Sequence, residues 1–318
     1  MATAFVFPGQ GSQAVGMGVE LKAAFAAARE VFEEVDDALG QKLSKLMAEG
    51  PSETLTLTEN AQPALMAVSL AALRVLEAEG GLSLPDGIAF VAGHSLGEYS
   101  ALAAAGALGI ADAARLLRRR GQAMQEAVPV GVGAMAALLG AEIGAAEEIA
   151  KAAQAAPDGK QEVCEPANDN APGQVVISGH KAAVERAMEL GKTKGARRSM
   201  LLPVSAPFHC SLMAPAAEVM AEALEKVTLR PPAVPVVANV TAQPVAEPAR
   251  IRRLLVEQVT GRVRWRESVL TMKGQGVSRL VELGSGRVLS GLARRIDPEV
   301  EGVACGTPAD VEAVLKLL

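Results

Sequence analysis

The sequence predicts an α/β fold: a large domain with a mainly parallel sheet covered on both faces, and a smaller domain inserted into it. Three observations predict it. Short apolar runs alternate with helical stretches through both halves of the chain. One of those runs, Ile88 to Ala92, passes through Gly93-His94-Ser95-Leu96-Gly97 into an Ala- and Leu-rich helix. Between residues 130 and 203 the order changes to strand, helix, strand, strand, helix, strand, a split unit of roughly 70 residues within the normal size range of a domain. The expected division is therefore 1–129 and 204–318 for the large domain and 130–203 for the insert.

At 318 residues and 50% apolar composition, the chain can bury one large core and one small one. Only 3% of residues are aromatic, so the core is built from small aliphatic side chains. A net charge of −5 argues against a nucleic-acid binder, whose footprint is basic. An acidic partner would need a local basic patch. Cys164, Cys210 and Cys305 are an odd number without metal-ligand or C-x-x-C spacing, which fits a reducing cytoplasm. The start of the chain has no basic segment or cleavage site, so no signal peptide is expected. The longest apolar run, Ala101 to Ala111, is about half of the roughly 20 residues that span a membrane.

Taken in order, Thr3 to Phe7 is a strand, cut by Pro8-Gly9-Gln10-Gly11-Ser12-Gln13. That loop is either an ordinary turn or a set of amides facing a ligand. Leu21 to Leu39 reads as one amphipathic helix and Leu43 to Met47 as a short one. Asn60-Ala61-Gln62-Pro63 opens a helix over Ala64 to Glu79, with the proline near its start and Gly80-Gly81 as its stop. Gly93 to Gly97 fits the G-x-S-x-G nucleophile elbow, which gives the large domain an α/β-hydrolase-like character. Side chains at the two glycines would crowd the neighbouring strand and helix. The helix after it aims its partly positive N-terminus at Ser95.

Ala111 to Ala127 is helical and carries Arg115, Arg118, Arg119 and Arg120. The first three share a face expected to be solvated. Arg120 lies roughly 100° further round, toward Leu116 and Leu117, and so needs an anionic partner. Either a local Glu pairs with it or it grips a substrate carboxylate.

Within the insert, strands are expected at Gly133–140, 161–168, 174–178 and 198–204, and helices at 141–156 and 181–194, with a turn over 168–173; the order is that of a ferredoxin-like β-α-β-β-α-β domain. A cleft is expected where the chain re-enters the large domain at 204–210. Helices at 212–226 and 249–259, another after Val263-Arg264-Trp265 that ends near Lys273, and strands at 234–239, 277–282 and 302–305 complete the pattern before a C-terminal helix. Gly284-Ser285-Gly286 lacks the spacing of a phosphate loop and reads as a tight turn.

A serine needs a base. Of three histidines, His94 adjoins Ser95 on a tight turn and points away, and His180 opens a surface helix. His209, at the domain junction, is left as the candidate, against a structural role there. No acid announces itself as the third member that orients the imidazole; a backbone carbonyl is the alternative.

These residues bring out a resemblance. The sequence resembles the malonyl-CoA:acyl carrier protein transacylases of fatty acid synthesis nearly end to end, through 7–13 (Phe-Pro-Gly-Gln-Gly-Ser-Gln), 93–102, Arg120-Gly121 before Met124-Gln125, 172–177 and Pro207-Phe208-His209. The resemblance implies that Ser95 accepts the acyl group, His209 is its base and Arg120 binds the malonyl carboxylate. It implies an oxyanion hole at the amides of Gln10 and Leu96, and a main-chain carbonyl at Gln258 that orients the histidine. Phe208 resembles the malonyl-selective form of its motif. Arg264 replaces the family's glutamine before Trp265, a position often substituted, and takes no role from the resemblance. The implied reaction is ping-pong, with malonyl-CoA and phosphopantetheinylated acyl carrier protein as substrates. No bound cofactor, metal, nucleic acid or membrane is expected, and a monomer in the cytoplasm is. Lys192, Lys194, Arg197, Arg198 and Arg287 are candidate docking residues for the acidic carrier, or else solvated helix ends. The alternatives are a serine thioesterase or esterase, a transferase for another acyl group such as methylmalonyl, or a carrier-binding subunit with a relic site.

Overall fold

Two sheets organise the chain in the computed structural model, which describes residues 2–318. The order begins β1 (Ala2–Phe7), α1 (Val19–Ala24), α2 (Ala26–Leu39), α3 (Leu43–Glu49), α4 (Ser52–Thr56), α5 (Thr58–Gly80), α6 (Leu84–Gly87), β2 (Ile88–Gly93), α7 (Gly97–Ala104) and α8 (Ile110–Ala127). Then come β3 (Gly133–Leu139), α9 (Ile143–Ala153), β4 (Cys164–Ala171), β5 (Gln174–His180), α10 (Lys181–Gly191) and β6 (Arg198–Leu201). After a 3-10 turn at Ser211–Met213 follow α11 (Ala214–Glu225), β7 (Val236–Val237), β8 (Pro244–Val245), α12 (Pro248–Thr260), α13 (Trp265–Gly274), β9 (Val277–Leu283), α14 (Val288–Ile296), β10 (Glu301–Cys305) and α15 (Pro308–Leu315).

The first sheet runs β10-β9-β1-β2-β7-β8 and is parallel except for the β7–β8 pair. Side chains alternate across it: Phe5, Phe7 and Val91 enter one core, while Ala4, Val6, Phe90 and Ala92 enter another. The second sheet runs β4-β5-β3-β6 and is antiparallel throughout, with its own core under α9 and α10. The α/β class and the mainly parallel sheet expected from the sequence are thus present, with the second sheet beside it.

Several expected boundaries move, each for a local reason. The helix expected over 21–39 breaks at Phe25, which adopts an extended conformation and caps both α1 and α2. The turn expected over 168–173 shrinks, because β4 continues to Ala171 through two register shifts. That extension brings Asn168 and Asp169 to Val263 of the large sheet's side, where Asp169 N donates to Val263 O.

α5 begins at Thr58, six residues earlier than expected, so Pro63 lies inside it. A proline has no amide to give to the carbonyl four residues back. That carbonyl, on Glu59, instead accepts from Arg118 Nε of α8 at 2.8 Å. Arg118 also reaches Gln41 and Asn60, so it is pinned between helices and does not sit on a solvated face. Gly121 lets α8 come this close: a Cβ there would lie 2.5 Å from Glu59 Cα. α5 is long and apolar enough to cross a membrane, but it is the central core helix, packed against α2 and α8.

Gly284-Ser285-Gly286 is a tight turn, held by Ser285 Oγ donating to Ser12 O. The N-terminus of α14 is already filled. The buried carboxylate of Glu282 accepts from the amides of Leu289 and Ser290.

Candidate active site

Ser95 stands between β2 and α7 with φ 53°, a left-handed conformation that a non-glycine residue holds only under constraint. Both flanking glycines are needed for it. A Cβ on Gly93 would fall 1.9 Å from the carbonyl of Gly97, and one on Gly97 would fall 2.2 Å from Phe7 O of β1. The turn therefore sits directly on the central strand, as the elbow pattern predicts.

His209 also holds a left-handed φ, 58°, in the segment leading back into the large sheet. Its Nε2 lies 2.8 Å from Ser95 Oγ, and its Nδ1 lies 2.9 Å from the main-chain oxygen of Gln258. A carbonyl only accepts, so Nδ1 carries the hydrogen and Nε2 presents its lone pair to the serine hydroxyl. Burial, with Arg120 adding to it, holds the imidazole down at about 3, so the ring is neutral. Among the described residues, no carboxylate hydrogen-bonds to the imidazole; the Gln258 carbonyl does.

Arg120 is buried, with 1% exposure. Its Nη1 donates to Gln62 Oε1 at 2.9 Å, and its Nη2 donates to Ser95 Oγ at 3.1 Å and to Gln258 Oε1 at 2.8 Å. Among the described residues its partners are these neutral groups and no Glu, and its Nε is enclosed without a hydrogen-bond partner. The guanidinium carbon lies 5.7 Å from the Tyr99 ring centre. A buried cation at a cavity wall is costly unless an anion or polar groups face it, and here Gln62, Ser95 and Gln258 do.

Ser95, His209 and Arg120 line a single cavity of about 390 Å³, together with Gln10, Leu96, Phe208 and Met124. Ser95 N is occupied, donating to Asn239 Oδ1 at 2.7 Å. The amides of Gln10 and Leu96 donate to no other main-chain group among the described residues. His94 turns away from the hydroxyl as expected, and its Nε2 meets Asn170 Oδ1 at 2.9 Å. His180 caps α10, and its Nδ1 accepts from Val163 N. Arg264 caps α13 and pairs with Glu267, away from the cavity lining. Among the described residues, no group of three or more His, Cys, Asp or Glu is placed to hold a metal ion.

Residues 4–288 match the model of the acyl transferase domain family. The chain belongs to the acyl transferase family. This acyl transferase is 48% identical to the malonyl CoA-acyl carrier protein transacylase of Escherichia coli K12, over 99% of both chains. It is 46% identical to that of Bacillus subtilis, over 99% of this chain and 96% of the other. Among solved structures, it superposes on the acyl-carrier-protein S-malonyltransferase of Bartonella henselae with a TM-score of 0.95 at 56% identity, covering 100% and 99% of the two chains. A malonyl-transacylase solved in complex with a type II polyketide acyl carrier protein matches at TM-score 0.94 and 42% identity, with both chains covered fully.

The acyl transferase site contains polar residues that the sequence did not single out. Asn239 takes the Ser95 amide and donates to Gly93 O at 2.7 Å. Gln62 holds Arg120 from α5, and Glu98 lies beneath Gln258. Glu98 stood in the recognised motif without a role. Neutral amides in a helix or loop give no periodic signal, and only the folded geometry brings Gln62 and Asn239 to the serine.

Proposed function

We propose that this acyl transferase moves a malonyl group from coenzyme A to the phosphopantetheine thiol of an acyl carrier protein, through an ester on Ser95. One observation carries the reading: a serine hydroxyl lies within hydrogen-bond reach of both a neutral imidazole and a buried guanidinium whose partners among the described residues include no carboxylate. The names of the relatives in the family support the substrates.

In the first half-reaction, His209 Nε2 takes the Ser95 proton while Oγ attacks the thioester carbonyl. The amides of Gln10 and Leu96 receive the oxyanion, each worth on the order of 3 kcal/mol. The tetrahedral adduct collapses, the C–S bond breaks, and the coenzyme A sulfur leaves with the proton from His209. In the second, the carrier thiol gives its proton to His209 and attacks the ester. Ser95 Oγ leaves and recovers that proton. Arg120 holds the malonyl carboxylate throughout, and the Gln258 carbonyl keeps the imidazole in register. Phe208 walls the acyl pocket and disfavours branched acyl groups. Transfer to water is the weaker reading, because His209 is oriented by a carbonyl and the relatives are transacylases.

The finer architecture belongs to the same proposal. The strand order β4-β5-β3-β6 with α9 and α10 supports a ferredoxin-like insert over 130–203 in an α/β-hydrolase-like domain formed by 1–129 and 204–318. Lys194, Arg197 and Arg198 are exposed, and their segment runs into Leu202 and Val204 of the cavity wall. These three form the core of the docking patch for an acidic carrier. Lys192 and Arg287 already pair with Glu189 and Asp310 and contribute less. The protein works as a cytoplasmic monomer that needs no bound cofactor.

Intact-mass measurement after mixing with a panel of acyl thioesters tests the reading. A malonyl adduct that persists until a thiol acceptor is added, and is absent from Ser95→Ala, is expected. Rapid hydrolysis without a thiol, or labelling of Ser95→Ala, overturns it.

A further inference from the structure

Beneath the cavity, one residue touches Ser95, His209 and Arg120. Gln258 accepts from Arg120 Nη2 through Oε1, donates to Ser95 O at 2.9 Å through Nε2, and takes His209 on its main-chain oxygen. Its Nε2 also donates to Glu98 Oε2 at 2.8 Å. The amide cannot be reversed: a guanidinium only donates, while the carbonyl and the carboxylate accept. Glu98 Oε2 accepts in addition from Asn239 N at 3.2 Å, the residue that holds the Ser95 amide. Glu98 is buried, with 2% exposure, and is not among the residues that line the cavity.

We propose that Glu98 is a positioning residue that balances the charge of Arg120 in the empty site and takes up a proton when the carboxylate of the acyl group arrives. The proposal rests on the reading of Arg120 as the carboxylate's partner and assigns that site its charge control. In the empty cavity, Arg120 is a buried cation, and Glu98 is the carboxylate linked to it, through Gln258. A carboxylated acyl group then brings a second anion to the one guanidinium. Two buried anions facing one cation are costly, and the weaker acid accepts a proton from solvent. Its Oε1 accepts no hydrogen bond from the described residues and is free to carry that proton.

The groups around Glu98 allow this. Gln258 from α12 and Asn239 after β7 are neutral donors, Arg120 from α8 is the one cation, and Tyr99 on its own helix α7 stays neutral, pushed up to about 12 by burial. Burial outweighs all of them and raises Glu98 to about 7. Protonated Glu98 then falls from about nine-tenths of the population at pH 6 to about one-tenth at pH 8. Acyl groups with a carboxylate should bind about tenfold more weakly at pH 8 than at pH 6, and acetyl groups equally at both.

The KM for malonyl-CoA and for acetyl-CoA, measured from pH 6 to pH 8, is the test. The malonyl KM should rise about tenfold while the acetyl value stays level. In Glu98→Gln, a permanently neutral mimic, the malonyl KM at pH 8 should return to its pH 6 level. A structural role alone would instead weaken both substrates at every pH. A level malonyl profile in the wild type, or a rise that persists in Glu98→Gln, overturns the proposal. Should Glu98→Gln fail to fold, calorimetry of malonyl-CoA binding to Ser95→Ala in two buffers of different ionisation enthalpy decides. Proton uptake at pH 7.5 supports the role of Glu98, and none overturns it. Failure of the Arg120 reading looks different: malonyl would then bind no better than acetyl at any pH.

Discussion

Replacing Arg120 with alanine should abolish malonyl transfer while sparing acetyl transfer. The guanidinium is enclosed but lines the cavity, and its terminal nitrogens can meet a carboxylate through two charge-assisted hydrogen bonds. Each is worth about 1.5–3 kcal/mol in a buried setting. Their joint loss, roughly 3–6 kcal/mol, corresponds to about a hundredfold to ten-thousandfold in rate at 1.4 kcal/mol per factor of ten. An acetyl group lacks the carboxylate and loses only the Arg120–Ser95 contact. The assay compares kcat/KM for malonyl-CoA and acetyl-CoA with one carrier protein. Acetyl turnover also reports on folding, because the substitution strands Gln62 Oε1 and Gln258 Oε1. If both activities fall by the same factor, the carboxylate role of Arg120 is refuted.

Further outcomes follow from the same geometry. Because His209 is held to about 3, acylation should persist well below the ordinary imidazole value of 6.5; Arg120→Gln removes one depressing charge, so the acid limb of kcat/KM should move to higher pH. The same depression means that folded His209 binds its proton less readily than unfolded histidine. Stability from this residue is therefore lost as pH falls from 6.5 toward about 3, and thermal melts of His209→Gln should lose that part of the slope. Glu98, raised to about 7 from 4.5, contributes the opposite slope, with stability lost as pH rises between those values. Reversing Arg197 and Arg198 to glutamate should raise the KM for the carrier protein and leave that for malonyl-CoA unchanged; an unchanged carrier KM removes the patch. Gly97→Ala should cost about 3 kcal/mol or more by driving α7 off β1, read by denaturant unfolding followed through the sole tryptophan, Trp265.

The parts of this protein legible in its sequence are those with a steric or periodic signature. Gly93 and Gly97 announced the elbow because only glycine fits against Gly97 and Phe7. Arg120 announced itself by its angle on α8, and His209 by elimination among three histidines. Gln258 became visible through family resemblance alone: a main-chain carbonyl has no residue type. Glu98, Gln62 and Asn239 stayed silent, because their role depends on contacts across 58 to 160 positions of chain. The break at Phe25 and the long β4 were also hidden, since both come from tertiary packing overriding a continuous local pattern.

Pro63 carries a last consequence. A missing amide in one helix is ordinarily a flaw, yet here the spare oxygen it leaves on Glu59 becomes the fastening point for its neighbour. Gln62 sits one residue before that gap, and Arg120 two residues after the arginine that closes it. The two ends of the Gln62–Arg120 contact are thus riveted together by a hydrogen that the chain does not have.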